Sequence, residues 1–487
     1  MGEAANSLWL SESLVTMLER VIANMPADKV FFEYCAEKNL GSKKRRVLSD
    51  HFFRMLREYW QIVFTIGPRE PELIVKQFFT NYAQLQKVCV VAPSDSSSRP
   101  TAGSLQWRVN MPNDLWVEFL RSFSSPEEIP HEVLGRQTHI DIRVNSFAGF
   151  SKSFVMRHLC AKGMIVKDLP FTNGLRLTKR MAGIVRLPLY KQGAFELQDW
   201  GSQIVTKIAA ASIADTSRAE GLRILDYCAG AGGKSLALLD NLPMIRIEEL
   251  VLADINEARL ANAQRRFYRI AATQSGPQTA DEPVDKPLVE ERFCDKWQDH
   301  SRKPVRLDSK SNCCGLEHYI RENVSFRHVD SLQPNETFGL VLVDAPCSGT
   351  GTLIRNPWLT IQLDKAQIHQ DQRTQLEILQ KAAKFVVEGG VLVYITCSLL
   401  KSENADVIEL FLRNNYFVNG AFELIDIPQL YSEPRKNPSE LRGNPDFRGS
   451  SYSWQKFLSP LMSGKYVRIF PSALETSGFF MAMLRKL

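Results

Sequence analysis

The 487-residue chain contains no CxxC pair and no internal repeat. It also has no apolar run near the ~18 residues that a membrane span requires. Its nine cysteines are scattered and odd in number, which argues against a disulfide framework and for a reducing compartment. Cys294, His300, Cys313, Cys314 and His318 match no standard zinc spacing, so no metal is expected. Glu3, Glu12, Glu19 and Asp28 argue against an acid-poor transit peptide. Asn6 stands where a myristoylation signal wants Ser or Thr. The chain therefore reads as soluble, cytoplasmic, free of membrane and monomeric. Hydrophobic residues make up 44% and charged residues 23%, enough for a substantial core. The net charge of +6 is only a weak pointer to a polyanionic partner.

Length divides the chain into two or three domains. Over residues 1–100 the apolar positions recur at helical spacing, as in Phe52, Phe53, Leu56, Tyr59, Trp60 and Val63, and predict an all-helical domain. Polar residues 94–100 read as a linker. A small α+β unit follows over 103–187, with a strand at 140–145 and a helix at 151–160. From 188 to 487 short apolar strands at 223–227, 249–254, 324–330, 338–346 and 391–397 alternate with helices. That pattern is α/β with a parallel sheet covered on both faces. Residues 271–322 are polar and read as a surface insertion.

The segment LDYCAGAGGKS (225–235) follows a strand and opens a helix. Gly230, Gly232 and Gly233 permit a sharp turn and close approach to a ligand, at a helix start that favours an anion. A dinucleotide turn wants GxGxxG and finds GAGG; a P-loop wants a glycine where Cys228 stands. A nucleoside site wants an acid at the end of the next strand for the ribose hydroxyls. Asp254 is placed for that role and Asp330 ends the strand after it, although either acid is also a plausible helix N-cap.

Cys347, in DAPCSGTGT, and Cys397, in ITCS, each lie just beyond an apolar strand, at the edge where open α/β sheets bind ligands. Free cysteines are usually buried hydrophobes. Two in neighbouring strand-end loops, one beside Asp344, suit covalent catalysis by an activated thiolate.

These residues resemble the Nop/Sun-type RNA cytosine-5 methyltransferases, above all the bacterial branch acting on small-subunit (16S) ribosomal RNA. The matching segments are VLSDHFFRMLR, DIRVN, FELQDWGSQ (195–203), DYCAGAGGK, DAPCSGTG with the following RNP, TCS, and GFFMAMLRK (478–486). The likeness runs from about residue 45 onward. It implies a seven-stranded Rossmann-like methyltransferase sheet, a small RNA-binding subdomain and an N-terminal helical domain similar to an antitermination factor. It further implies S-adenosylmethionine as cofactor, bound by Cys228, Ala229, Gly230, Ala231, Gly232, Gly233, Lys234, Asp254, Asp330 and Asp344. Cys397 would be the nucleophile, Cys347 would assist release of the methylated product, and Asp344 would hold the target base. Two departures are visible: Gly230-Ala231 stands for the usual Ala-Pro, and the 271–322 insertion is foreign to compact members.

The implied partner is RNA, ribosomal or transfer. A target base must be unpaired or flipped to meet a thiol. Candidate phosphate contacts are Lys43, Lys44, Arg45, Arg46, Arg143, Lys179, Arg180, Arg355 and Lys401, each also readable as an ordinary solvated charge. Residues 43–46 also fit a nuclear localisation signal. The competing readings are a non-catalytic RNA-binding assembly factor, a P-loop nucleotidase and a DNA methyltransferase.

Overall fold

A computed structural model describes residues 2–66, 70–88, 121–122, 139–178, 183–213, 221–242, 247–272, 312–356, 358–415, 421–427 and 457–487. The 94–100 linker, Lys179, Arg180, Cys294, His300 and the stretch 273–311 lie outside them, as do the side chains of Cys313 and Cys314.

Helices α1 (Gly2–Ile22), α2 (Ala27–Glu37), α3 (Ser42–Ile66) and α4 (Pro71–Val88) form the first unit. Leu14, Leu18 and Val21 of α1 and Phe52, Met55, Leu56 and Tyr59 of α3 recur at three- and four-residue spacing and are buried, so each helix offers one apolar stripe to the others. Trp358, from far along the chain, completes this core. Its ring lies 5.9 Å from that of Phe53. Gln362 Nε2 donates to Val21 O (3.2 Å) and Met25 O (3.0 Å), at and just beyond the end of α1, satisfying carbonyls that a helix end leaves open.

The second unit holds strand β1 (Ile140–Val144), helix α5 (Lys152–Ala161), β2 (Val166–Leu169), β3 (Gly174–Leu177) and β4 (Phe195–Leu197). They make an antiparallel sheet in the order β2-β3-β1-β4. Ser151 caps α5 by accepting from Phe154 N (3.2 Å), the usual service of a serine at that position.

Helix α6 (Trp200–Ile213) leads into the large domain: β5 (Leu222–Asp226), α7 (Gly233–Asn241), β6 (Ile247–Asp254), α8 (Glu257–Ala272), α9 (Asn312–Asn323), β7 (Val324–His328), β8 (Phe338–Asp344), α10 (Lys365–Ala383), β9 (Val386–Thr396), α11 (Ala405–Asn415), β10 (Phe422–Leu424), β11 (Met462–Ser463), β12 (Tyr466–Ile469) and β13 (Phe479–Lys486). The sheet order is β11-β12-β13-β9-β8-β5-β6-β7. Strands β5 to β9 are parallel, and β13 is antiparallel to β9. Nine strands are described rather than the seven expected, because the two-residue β11 extends the edge through β12 and the three-residue β10 pairs with β13 beside β12. Strand order reverses between β5 and β8, and ligands bind at such a switch point, beyond the carboxyl ends of the strands.

The expected insertion is shorter at both ends than 271–322. Residues 271–272 finish α8, and 312–322 belong to α9, whose Leu316 and Ile320 enter the core. Among the described residues no helix is long and apolar enough to cross a membrane.

Candidate active site

Strand β5 ends on Asp226, which is buried and accepts from Ser235 Oγ (2.5 Å). Burial pushes its carboxyl up to about 7, against the pull of the Ser235 hydroxyl. The turn that follows has Gly230 at φ 53° and Gly232 at φ 74°, values that disfavour any side chain. A Cβ on Gly232 would sit 3.1 Å from both Ala263 and Leu252, whereas one on Gly230 would meet nothing within 4 Å. The turn thus packs tightly on its inner side and leaves open space on its outer side. Asp254, at the end of β6, accepts from Gly230 N and Asn256 N (both 2.8 Å). A carboxylate has acceptor capacity beyond two such bonds. Asp330 stands in the helical turn after β7 with its side chain 84% exposed, 3.6 Å from His328. Acids on successive strand ends around an open glycine turn suit the hydroxyls and amine of a nucleoside. Cys228 lies among Asp226, Asp344 and Asp254; burial first and these carboxylates second push its thiol well above the usual range.

Lys234 departs from its expected place. Its side chain is nearly buried and donates from Nζ to Asp344 Oδ2 (2.5 Å), with the Phe479 ring 5.4 Å away. Burial opposes the charge, but Asp344, Cys397 and Asp226 together hold the ammonium above its ordinary pKa. The lysine therefore belongs to the thiol end of the site, and an ammonium engaged by a carboxylate is a poor phosphate anchor for a P-loop reading.

Strands β8 and β9 run parallel with Asp344 opposite Ile395, so their exit loops are neighbours. Ala345 N donates to Ile395 O (2.9 Å) and Gly351 N to Cys397 O (2.8 Å). The Cys347 and Cys397 sulfurs end 3.4 Å apart. Either thiol of this pair can donate to the other. That hydrogen bond holds the Cys397 thiol below its ordinary pKa; burial and Asp344 oppose it, and Lys234 assists it. The same contact, with burial, drives Cys347 well upward.

Glu403 carries no signal that a linear reading detects, and Asp199 stands in a matching segment with no role marked by its neighbours. Glu403 is fully buried and hydrogen-bonded to Ser348, Ser398 and Gln375. Asp199, inside FELQDWGSQ, accepts from Thr476 Oγ1 (2.7 Å), Gly201 N (2.9 Å) and Ser477 N (3.1 Å) and lies 3.4 Å from Arg355. Both acids look like surface charges until the segments that neutralise them are brought in.

Of the candidate RNA contacts, Arg143 is withdrawn. It is 2% exposed and pairs with Asp240 while donating to Gln198 Oε1 (2.7 Å). The polar face of β1 is covered, because Asp240 of α7 neutralises the charge that alternation had assigned to solvent. Arg355 is 39% exposed beside Asp199. Lys401 is 54% exposed, 3.1 Å from Asp406. Lys43, Lys44, Arg45 and Arg46 are exposed at the start of α3, with the Lys44 ammonium 5.1 Å above the Trp9 ring.

Residues 297–485 match the family model described as 16S rRNA methyltransferase RsmB/F. That segment holds Asp330, Asp344, Cys347, Cys397 and Glu403, and leaves out the glycine turn and Asp254. The ribosomal RNA small subunit methyltransferase B of Shewanella oneidensis is 28% identical over 232 residues, covering 47% of this chain and 41% of that protein. Its counterpart from Proteus mirabilis is 27% identical over 266 residues, covering 53% and 48%. The chain spans less than half the length of these curated relatives. Among solved structures, that of PH0851 aligns with TM-score 0.61 at 18% identity, covering 98% of this chain and 99% of that one. That of NSun6 from Pyrococcus horikoshii with SFG aligns with TM-score 0.50 at 16% identity, covering 77% and 98%. Both are likenesses of fold, and with the sheet order they fit an α/β Rossmann-like class. The sequence matches carry the same Nop/Sun-type resemblance as the motifs.

Proposed function

We propose that the chain methylates C5 of a cytosine in RNA, small-subunit ribosomal RNA first among the candidates, through a covalent bond between Cys397 and C6 of the base. The observation that carries this reading is the pair of sulfurs 3.4 Å apart, beside the Lys234–Asp344 ion pair at the sheet's switch point. Cytosine C5 is a weak nucleophile. Addition of the Cys397 thiolate to C6 turns the ring into an enamine with carbanion character at C5, the general logic of covalent catalysis. Lys234 pins the Asp344 carboxylate, which faces the N3/N4 edge of an unpaired base. Cys397 must be ionised to attack, and its contact with Cys347 together with the Lys234 ammonium favours that state. After transfer, Cys347, having given its S–H proton to solvent, takes the C5 proton; the C6–S bond then breaks and returns Cys397 as a thiolate. S-adenosylmethionine, when bound, supplies the electrophilic methyl group. Asp254, Asp330 and the turn from Cys228 to Gly233 are the residues that would hold it. Arg355, Lys401 and residues 43–46 are the remaining candidates for the phosphate backbone.

Labelled methyl transfer from the cofactor to total and ribosomal RNA tests the reading. Cys397→Ala removes turnover, by on the order of 10³-fold or more, as expected for a covalent nucleophile. Cys347→Ala accumulates a protein–RNA adduct that survives denaturation. Undiminished methylation by Cys397→Ala would sink the assignment.

A further inference from the structure

Glu403 lies in the one-turn helix Lys401–Glu403 and has no exposed surface. A carboxylate in that position is tolerated only when its oxygens are engaged, and these are. Oε1 accepts from Ser348 N (2.8 Å) and Gln375 Nε2 (3.0 Å); Oε2 accepts from the hydroxyls of Ser348 and Ser398 (both 2.5 Å). Ser348 directly follows Cys347, and Ser398 directly follows Cys397. Gln375 also donates to Pro346 O (2.9 Å), on the other side of Cys347. The Tyr394 hydroxyl donates to Glu403 O (2.7 Å) and ties the acid's own backbone to β9. One side chain therefore spans the turn after each thiol. Thr350 Oγ1 also touches both serine hydroxyls, at 3.4 and 3.1 Å, and Glu403 makes the shorter pair of contacts.

We propose that Glu403 is a positioning residue whose reach across the two turns holds the Cys347 and Cys397 sulfurs in contact. Glutamate has the length to bridge Ser348 and Ser398; aspartate, one methylene shorter, can serve one turn and not the other. Burial raises the Glu403 carboxyl above its ordinary pKa while the two serines and Gln375 pull it down. The inference rests on the reading that Cys397 attacks, but its first test does not.

The test compares the full chain with E403Q, which keeps reach without charge, and E403D, which keeps charge without reach. In E403Q the amide oxygen still accepts from Ser348 N and Gln375, and the amide nitrogen donates to the two hydroxyls. Iodoacetamide is the probe: a thiolate displaces iodide, and mass mapping gives the labelling rate at each cysteine. The unsubstituted chain and E403Q label Cys397 roughly tenfold or more faster than Cys347, whereas in E403D the ratio falls to about threefold or less, because reactivity follows thiolate character. In the methylation assay E403D lowers kcat by about 100-fold with KM for RNA and cofactor unchanged, and E403Q stays within about tenfold. An E403D protein with the original labelling ratio overturns the proposal. So does an E403Q protein as impaired as E403D, which would make charge the working quantity. If the unsubstituted chain methylates no RNA while the labelling pattern holds, the functional reading fails and the clamp stands.

Discussion

Gly351 is where three segments of the site touch through backbone alone. Its N–H donates to Cys397 O (2.8 Å), and its carbonyl accepts from Gly478 N (2.7 Å). A Cβ added there would overlap Gly478 O and lie 2.7 Å from Cys397 O and 2.8 Å from Gly478 C. All three are backbone atoms, so no rotamer change relieves the crowding. Restoring ordinary contact means moving the Cys347 loop, the Cys397 loop or the start of β13 by on the order of 1 Å. Overpacking of this kind costs about 1–3 kcal/mol, against a total stability of roughly 5–15 kcal/mol for a typical domain. The Gly351→Ala protein therefore still folds. Displacement of reacting groups by about 1 Å, in contrast, lowers rates by about 100-fold. The expected outcome is a single-turnover methylation rate down by roughly that factor, with cofactor affinity by calorimetry unchanged. The cofactor turn sits on β5 and β6, away from the crowded contact. Turnover within a few-fold of the original, or parallel loss of cofactor affinity, would refute the reasoning.

Trp358 is 8% exposed and completes the helical bundle a few residues after Arg355. Trp358→Ala should cost about 3–5 kcal/mol in that core, read as faster amide exchange in α1 and α3 than elsewhere, together with weaker RNA methylation; unchanged protection in both helices would count against the docking role. Asp226 governs a pH dependence. Its folded carboxyl is raised to about 7 by burial, so the stability it contributes is complete below the unfolded value near 4 and is lost as pH rises through about 7. Asp226→Asn removes that loss, up to roughly 4 kcal/mol across the window. Denaturant titrations of both proteins between pH 4 and 8 measure the difference, and parallel profiles would contradict it.

The parts of the site that could be read along the chain are those whose physics is local. Apolar runs between turn residues marked β5 to β9, glycines able to take positive φ marked the cofactor turn, and each cysteine just past a strand had to emerge at the carboxyl edge of a parallel sheet. What stayed hidden depends on partners distant in sequence. Arg143 read as a solvent-facing charge because β1 alternates, yet Asp240 and Gln198 bury it. Lys234 read as part of the glycine turn, but Asp344, on the neighbouring strand β8, turns it toward the thiols. Glu403 and Trp358 carried no signal, since a buried carboxylate and an aromatic plug are defined by the segments that close over them. Periodicity and turn chemistry in the sequence by itself determined which elements form and which residues stand at their ends. Only the tertiary structure decided which charges face one another, because Coulomb energy and desolvation depend on distance and burial rather than on position in the chain.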